Sequence, residues 1–275
     1  MQSAWIMYSL RRYLRNVDRL PELVAAMRVV RPYVPLALEY LGYSGINYPM
    51  NATVHDQLSV QLEESEDARV LWHIFVRHCY PVLQHDRVIL DAGANIGLFA
   101  MYAAFHAPDA RIFSMEPLPS TFRRLQETIE SNRLASRVMP IEVAITGAEE
   151  VRFIAREEVP SASTRLKTGS ADLASSGVKV NCRTLASIID EYGLETIDLL
   201  KMDIEGSEFE ALLATPVSIL KRIDRIALEV HGNQTAKGYR QEALLDHLRS
   251  AGSVVQHAEI NENGNGIVLT ANRRG

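Results

Sequence analysis

Side chains able to bind a cation or move a proton stand where the short apolar runs of this chain give out. Asp91 follows Val88-Ile-Leu90, Glu116 follows Ile112-Phe-Ser-Met115, Asp203 and Glu205 follow Ile197-Asp-Leu-Leu-Lys-Met202, and Glu229 and His231 close the run from Ile226. Such runs, bounded by turn residues, read as strands of a parallel sheet covered on both faces. Ligands of open parallel sheets collect beyond the carboxyl ends of the strands. The order therefore predicts that these side chains face one crevice.

The stretch Asp91-Ala-Gly-Ala-Asn-Ile-Gly97 runs into Leu98-Phe-Ala-Met101. It has the form of a strand end, a tight turn and a helix start, the shape of a nucleotide-type cofactor site. Its glycines do not match G-x-G-x-x-G, because Ala92 and Ala94 flank Gly93 and the next glycine is Gly97; close approach of a pyrophosphate is disfavoured. A carboxylate ahead of the turn repels phosphates and attracts an ammonium or a sulfonium, a description that S-adenosylmethionine meets. The plainer reading makes Asp91 the cap of an ordinary turn. Glu116, one strand over, is placed to accept hydrogen bonds from two ribose hydroxyls, and its plainer reading is a surface acid.

Strand and helix alternate after the turn. Arg111 to Glu116 reads as strand, Pro119 to Ser131 as a helix with Phe122, Leu125 and Ile129 on one side, Val138 to Thr146 as a third strand and Val151 to Ile154 as a short addition. Residues 161–177 are small and polar, a mobile loop that is either a lid or an idle excursion. Then come a strand from Val178 to Cys182, a helix from Thr184 to Tyr192 ended by Gly193, and the strands carrying Asp203 and His231, with a helix starting near Ser207 between them. A helix from Tyr239 to Ala251 and a hairpin of Val254–Ile260 with Ile267–Ala271 close the chain. The predicted class is α/β: a doubly wound, mainly parallel, seven-stranded Rossmann-like sheet ending in an antiparallel strand, with an N-terminal helical cap.

That cap spans residues 1–80 and is expected to select substrate or to oligomerise; residues 81–275 form the cofactor-binding domain. Ile6, Leu10, Tyr13, Val17 and Leu20 recur at steps of four and three, with Arg12, Arg15 and Arg19 on another face. This basic amphipathic helix packs on its own domain or on a second copy of the chain, or lies on an anionic membrane. Pro21 starts a second helix through Met27 and Val30, residues 40–50 read as loop, and Leu58 to Leu62 as a short strand. Glu63 to Asp67 opens a helix through Val70, Leu71, Ile74 and Phe75. His55 and Asp56 either touch substrate or are exposed loop polars.

Composition excludes several classes. The 275 residues are 47% apolar and 23% charged with a net charge of −5, which suits one well-buried core plus an appendage. No stripe of interleaved basic and aromatic residues suggests nucleic acid. Cys79 and Cys182 are too far apart for a metal or redox pair, so a reducing cytoplasm is expected. No apolar run spans a bilayer, and the first arginines follow rather than precede Trp5–Leu10, unlike a signal peptide.

Four motifs, Leu90-Asp-Ala-Gly-Ala-Asn-Ile-Gly97, Met115-Glu-Pro117, Leu200-Lys-Met-Asp-Ile-Glu-Gly206 and Leu228-Glu-Val-His231, stand in the order found in one family. From about Arg87 to Asn233 the chain resembles the FkbM-like S-adenosylmethionine-dependent methyltransferases. The resemblance implies O-methylation of a hydroxyl on a sugar or a secondary-metabolite scaffold such as a polyketide. By position it implies that Asp91, Gly93, Asn95, Gly97 and Glu116 hold the cofactor. An alcohol must lose its proton on methylation, to a general base or with the help of a divalent metal. His231 is the preferred base with Asp203 beside the acceptor; a structural histidine is the alternative. Asp203 and Glu229, aided by Glu205, would hold magnesium through oxygen ligands; otherwise Asp203 orients the hydroxyl and Glu205 pairs with a basic residue. The rival functions are a nicotinamide-dependent oxidoreductase, whose glycine spacing is absent, and a cofactor-binding module without chemistry.

Overall fold

The computed structural model describes residues 20–43, 46–154, 177–231, 239–260 and 266–272. The helix expected over Ile6–Leu20, save its last residue, and the loop expected over 161–177, save Gly177, lie outside the described residues. The chain divides into two compact units, Met1–Cys79 and Tyr80–Gly275. Cys79 and Cys182 form no disulfide, and no described helix is long and apolar enough to cross a membrane.

The first unit is not only helical. Helix α1 (Leu20–Val29), strand β1 (Val30–Arg31) and helix α2 (Tyr33–Tyr40) lead to a hairpin of β2 (Met50–Val54) and β3 (Leu58–Leu62), followed by helix α3 (Ser65–Phe75). The three strands pair antiparallel in the order β1-β2-β3. Met50–Val54 was not expected as strand, yet its burial alternates as a half-buried strand requires, with Ala52 and Val54 inside. His55 and Asp56 stand in the three-residue loop between Val54 and Leu58, both at positive φ, 50° and 53°, and the Gln57 amide closes the turn on the Val54 carbonyl at 3.1 Å. The ring of Tyr40 stacks on Trp72 at 4.5 Å, tying α2 to α3.

The second unit opens with β4 (Val88–Ala92), helix α4 (Leu98–His106), β5 (Arg111–Met115), helix α5 (Pro119–Ser131) and β6 (Val138–Ile141). The expected third strand, Val138 to Thr146, is in fact broken. The Val143 amide donates to the Ile141 carbonyl at 3.0 Å, a three-residue turn, and β7 (Ala144–Ile145) leaves the main sheet. There it pairs with β9 (Val178–Arg183), which also pairs antiparallel with β8 (Glu150–Ile154), forming a small sheet. The chain returns through helix α6 (Leu185–Glu191), capped by the Thr184 hydroxyl, to β10 (Ile197–Met202). Helices α7 (Glu208–Ala214) and α8 (Val217–Leu220), β11 (Ile223–Val230), helix α9 (Gln241–Ser250), β12 (Ser253–Ile260) and β13 (Gly266–Asn272) complete it.

The main sheet runs β12-β13-β11-β10-β4-β5-β6. Strands β11, β10, β4, β5 and β6 are mutually parallel, and β13 lies antiparallel between β11 and β12. This is the expected α/β class. Strand order reverses at β4, whose neighbours are β10 and β5, so the crevice beyond its carboxyl end is the natural ligand site. Pro140 is accommodated because β6 is an edge strand, where a missing N–H costs no ladder bond. Helix α4 is buried nearly all round, from Leu98 to Ala104, which fixes the turn preceding it on a rigid base.

Candidate active site

Beyond β4 the backbone must pass close to the end of β10. Gly93 does this at φ +79°, and a Cβ there would stand 1.7 Å from the Asp203 carbonyl oxygen, so only glycine fits. Gly97, at φ +90°, begins α4, and a Cβ there would meet Leu125 of α5 at 2.8 Å. Four of the turn's own amides are engaged. Those of Gly93 and Ala94 donate to the Met115 carbonyl at 3.0 and 2.9 Å, that of Asn95 to Glu116 Oε2 at 3.0 Å, and that of Gly97 to the Ala94 carbonyl at 2.9 Å. A phosphate seeking free N–H groups at a helix start would find these four occupied.

Asp91 lies beneath this turn, 0% exposed. Its register partners on the neighbouring strands are Lys201 and Ser114. Lys201 Nζ is 3.2 Å from Asp91 Oδ1, and the Ser114 hydroxyl donates to Oδ2 at 3.4 Å. The same ammonium donates to the Gly93 carbonyl at 2.6 Å and lies 5.8 and 5.9 Å from the Tyr80 and Phe99 ring centres. Burial pushes the Asp91 pKa up, against the pull of Lys201; in Lys201 burial, the largest influence, is outweighed by Asp91, Asp203 and Glu229 together, and its pKa is raised. The structure thus gives Asp91 a cation from its own sheet, and Asp91 is not among the residues lining the cavity.

The cavity is lined by Gly93, Asn95, Glu116, Leu118, Val143, Ile145, Ile154, Asp203 and Glu205, among others. Its charged lining side chains, among the described residues, are all carboxylates. Glu116 is 7% exposed, and its oxygens accept the Asn95 and Leu118 amides, each at 3.0 Å. Burial pushes its pKa up to about 7 in spite of those bonds. The apolar wall formed by Val143, Ile145 and Ile154 comes from the small sheet and the turn that leads into it, which a single unbroken third strand would not have supplied.

On the other side of the cavity the two next strands deliver a cluster. Asp203 follows β10, Glu205 sits in the left-handed region at φ +54°, and His231 follows β11. Their ligand atoms lie within 4.8 Å of one another. His231 Nε2 is 3.7 Å from Asp203 Oδ1 and 3.5 Å from Glu205 Oε2, while Nδ1 is 2.8 Å from Glu208 Oε1. Glu208, fully buried in the first turn of α7, also accepts the Gly206 amide at 2.9 Å. Burial works against charge on His231, but the Glu208 bond and the nearby carboxylates prevail and push its pKa up to about 9. Burial pushes Glu205 up to about 7. Glu229, expected to share a metal with Asp203, stands outside this group and accepts the Tyr80 hydroxyl at 3.4 Å; burial raises its pKa.

Two residues escaped the sequence reading. Lys201 had a signal: a lone lysine inside the apolar run Leu199-Leu-Lys-Met202 needs a buried acid. Glu208 looked like an ordinary acid at a helix start, and only the fold brings it to His231.

Residues 91–255, more than half the chain, match the model of the methyltransferase FkbM domain. AmbE of Pseudomonas aeruginosa, an antimetabolite synthetase, is 32% identical over 237 residues, which cover 72% of this chain and 11% of that protein. The 31-O-demethyl-FK506 methyltransferase FkbM of Streptomyces tacrolimicus is 28% identical over 203 residues, covering 63% of this chain and 78% of that one. Among solved structures, a methyltransferase FkbM from Methylobacillus flagellatus aligns over 94% of this chain and 60% of its own, with a TM-score of 0.50 and 15% identity, a likeness of fold.

Proposed function

The chain belongs to the FkbM methyltransferase family, and from that premise we propose that it transfers a methyl group from S-adenosylmethionine to a hydroxyl of a sugar or secondary-metabolite scaffold. We read its sheet, five parallel strands and the β12-β13 hairpin, as the seven-stranded form of the methyltransferase fold. The observation that carries the proposal is the cavity's charge: Glu116, Asp203 and Glu205 without a cation among the described lining residues, beside a turn with four of its amides engaged. That setting favours a cationic, phosphate-free ligand over a nicotinamide dinucleotide. The family relative named for 31-O-demethyl-FK506 supports an oxygen acceptor.

When bound, S-adenosylmethionine supplies an electrophilic methyl that passes from sulfur to the acceptor oxygen, leaving S-adenosylhomocysteine and releasing the hydroxyl proton. Glu116 spends one lone pair per oxygen on backbone amides and keeps acceptor capacity for two ribose hydroxyls. Gly93 and Asn95 form the turn against which the cofactor rests, and Asp91 acts from below, holding Lys201 against the Gly93 carbonyl. Asp203 and His231 receive the acceptor: Asp203 orients its hydroxyl, and His231, charged below its pKa of about 9, takes up the proton at Nε2 in its deprotonated fraction, so transfer should rise with pH toward about 9. Residues 1–80 choose the acceptor. Alignment of the reacting atoms contributes several kcal/mol, roughly 7 or more in well-oriented cases.

Calorimetry with S-adenosylhomocysteine and with NAD tests the cofactor; tighter binding of NAD rejects the reading. A mass-spectrometric screen of glycosylated and polyketide acceptors tests transfer. His231→Ala is expected to abolish it while cofactor binding persists, and unchanged turnover removes His231 from the mechanism.

A further inference from the structure

The cluster beyond β10 and β11 differs from a solvated patch of acids. Its donors are mixed: two carboxylates, Asp203 and Glu205, and one imidazole nitrogen, His231 Nε2, with ligand atoms inside a 4.8 Å span. The imidazole does not point there by chance, since Nδ1 is held at 2.8 Å by Glu208, a carboxylate 0% exposed. A buried carboxylate that fixes the far nitrogen of a histidine is the outer-shell arrangement of metal-binding histidines. Glu208 Oε2 is itself buried and has no hydrogen-bond partner among the described residues. Charge points the same way: Asp203, Glu205 and Glu208 surround one histidine, while the nearby Lys201 is already ion-paired with Asp91.

We propose that Asp203, Glu205 and His231 form a divalent-cation site, with Glu208 as the positioning residue behind His231. The site differs from the magnesium pair expected from the sequence. Glu229 is replaced by an imidazole, and a nitrogen donor moves the preference from magnesium toward manganese and other first-row transition ions. Three protein ligands leave coordination positions open to a polyhydroxylated acceptor. With the cation bound, Nε2 is a ligand and the ion, in place of the imidazole, lowers the hydroxyl's pKa. That role rests on the methyl-transfer reading above; the existence of the site does not.

The full-length protein, stripped of metal with chelator, is titrated with Mn2+ while the free ion is followed by electron paramagnetic resonance. A single ion bound per chain is expected, with His231→Gln and Asp203→Asn each weakening it by at least about tenfold, and Glu208→Gln by roughly 10- to 100-fold. His231→Gln is expected to keep its circular dichroism and its affinity for S-adenosylhomocysteine, so lost Mn2+ binding cannot be ascribed to unfolding. A free-ion signal undiminished into the millimolar range, binding unchanged in the variants, or Mg2+ bound more tightly than Mn2+ overturns the site. Failure of the unmodified protein to bind S-adenosylhomocysteine would reject the methyl-transfer reading and leave the Mn2+ result standing by itself.

Discussion

Lys201 shows how much of the site depends on one almost fully buried side chain. Its ammonium neutralises Asp91 and ties the Gly93 carbonyl, so it holds the turn as well as the strand pair. Replacing one partner of a buried ion pair leaves the other uncompensated, which costs roughly 3–5 kcal/mol. Lys201→Met is therefore expected to lose stability of that order in urea denaturation, and a loss no larger than that of an exposed Lys221→Met control would contradict the pairing. Glu116 offers a test by pH. Its raised pKa, about 7, comes from burial, and the ionised form is the one that accepts hydroxyl hydrogen bonds. Affinity for S-adenosylhomocysteine should rise with pH through about 7 and level off above it, by up to about tenfold per pH unit below the pKa. In Glu116→Gln the calorimetric profile should be weak and flat across that range; a profile unchanged from the unmodified protein would remove Glu116 from the ribose.

At the scale of elements, what could be read from the sequence was what is local. Helix α5 begins at Pro119, whose missing N–H suits a first turn, and carries Leu125 and Ile129 four apart on its buried side. The strands β4, β5 and β10 announced themselves as apolar runs ending in acids. What could not be read depended on partners distant in the chain. The break at Glu142–Val143 follows from β7 finding β9, and Ala52 and Val54 become strand because Val60 and Leu58 pair with them. Likewise the pairing of Asp91 with Lys201, its register partner 110 residues on, has no local signature. The small sheet is fastened to α7 by Arg152, 8% exposed, whose guanidinium meets Glu210 and Glu150 at 2.6 Å each. Removing a fully buried partner costs roughly 3–5 kcal/mol, and somewhat less here because Glu150 remains. Glu210→Ala is expected to show that loss and to weaken S-adenosylhomocysteine binding, since β7 and β8 carry the cavity's Ile145 and Ile154. Glu191→Ala, which breaks a more exposed pair with Arg183, should do neither; equal effects would mean that the small sheet does not shape the cavity.

At the scale of the molecule, catalysis and acceptor choice are expected to be divided between the two units. Every described residue lining the cavity belongs to Tyr80–Gly275, and so does the cluster of Asp203, Glu205 and His231. The main apolar core, from Leu90 to Ala251, is likewise internal to that unit, and a domain of such size buries enough surface to fold by itself. The first unit has its own packing, around Trp72, Phe75 and the β1-β2-β3 sheet, and leaves Val24, Met27, Val34 and Leu38 exposed. Residues 80–275 expressed alone should therefore show a cooperative thermal transition and bind S-adenosylhomocysteine within about tenfold, roughly 1.4 kcal/mol, of the full chain. Transfer to any acceptor of the full chain should be lost, because the residues assigned to acceptor choice are gone. If the fragment folds and still methylates the same acceptor, acceptor choice lies within the strand-end loops, and residues 1–80 serve another purpose such as self-association. If it folds but no longer binds the cofactor, the carboxylate-lined cavity is not sufficient for the donor, and the electrostatic argument for S-adenosylmethionine fails with it.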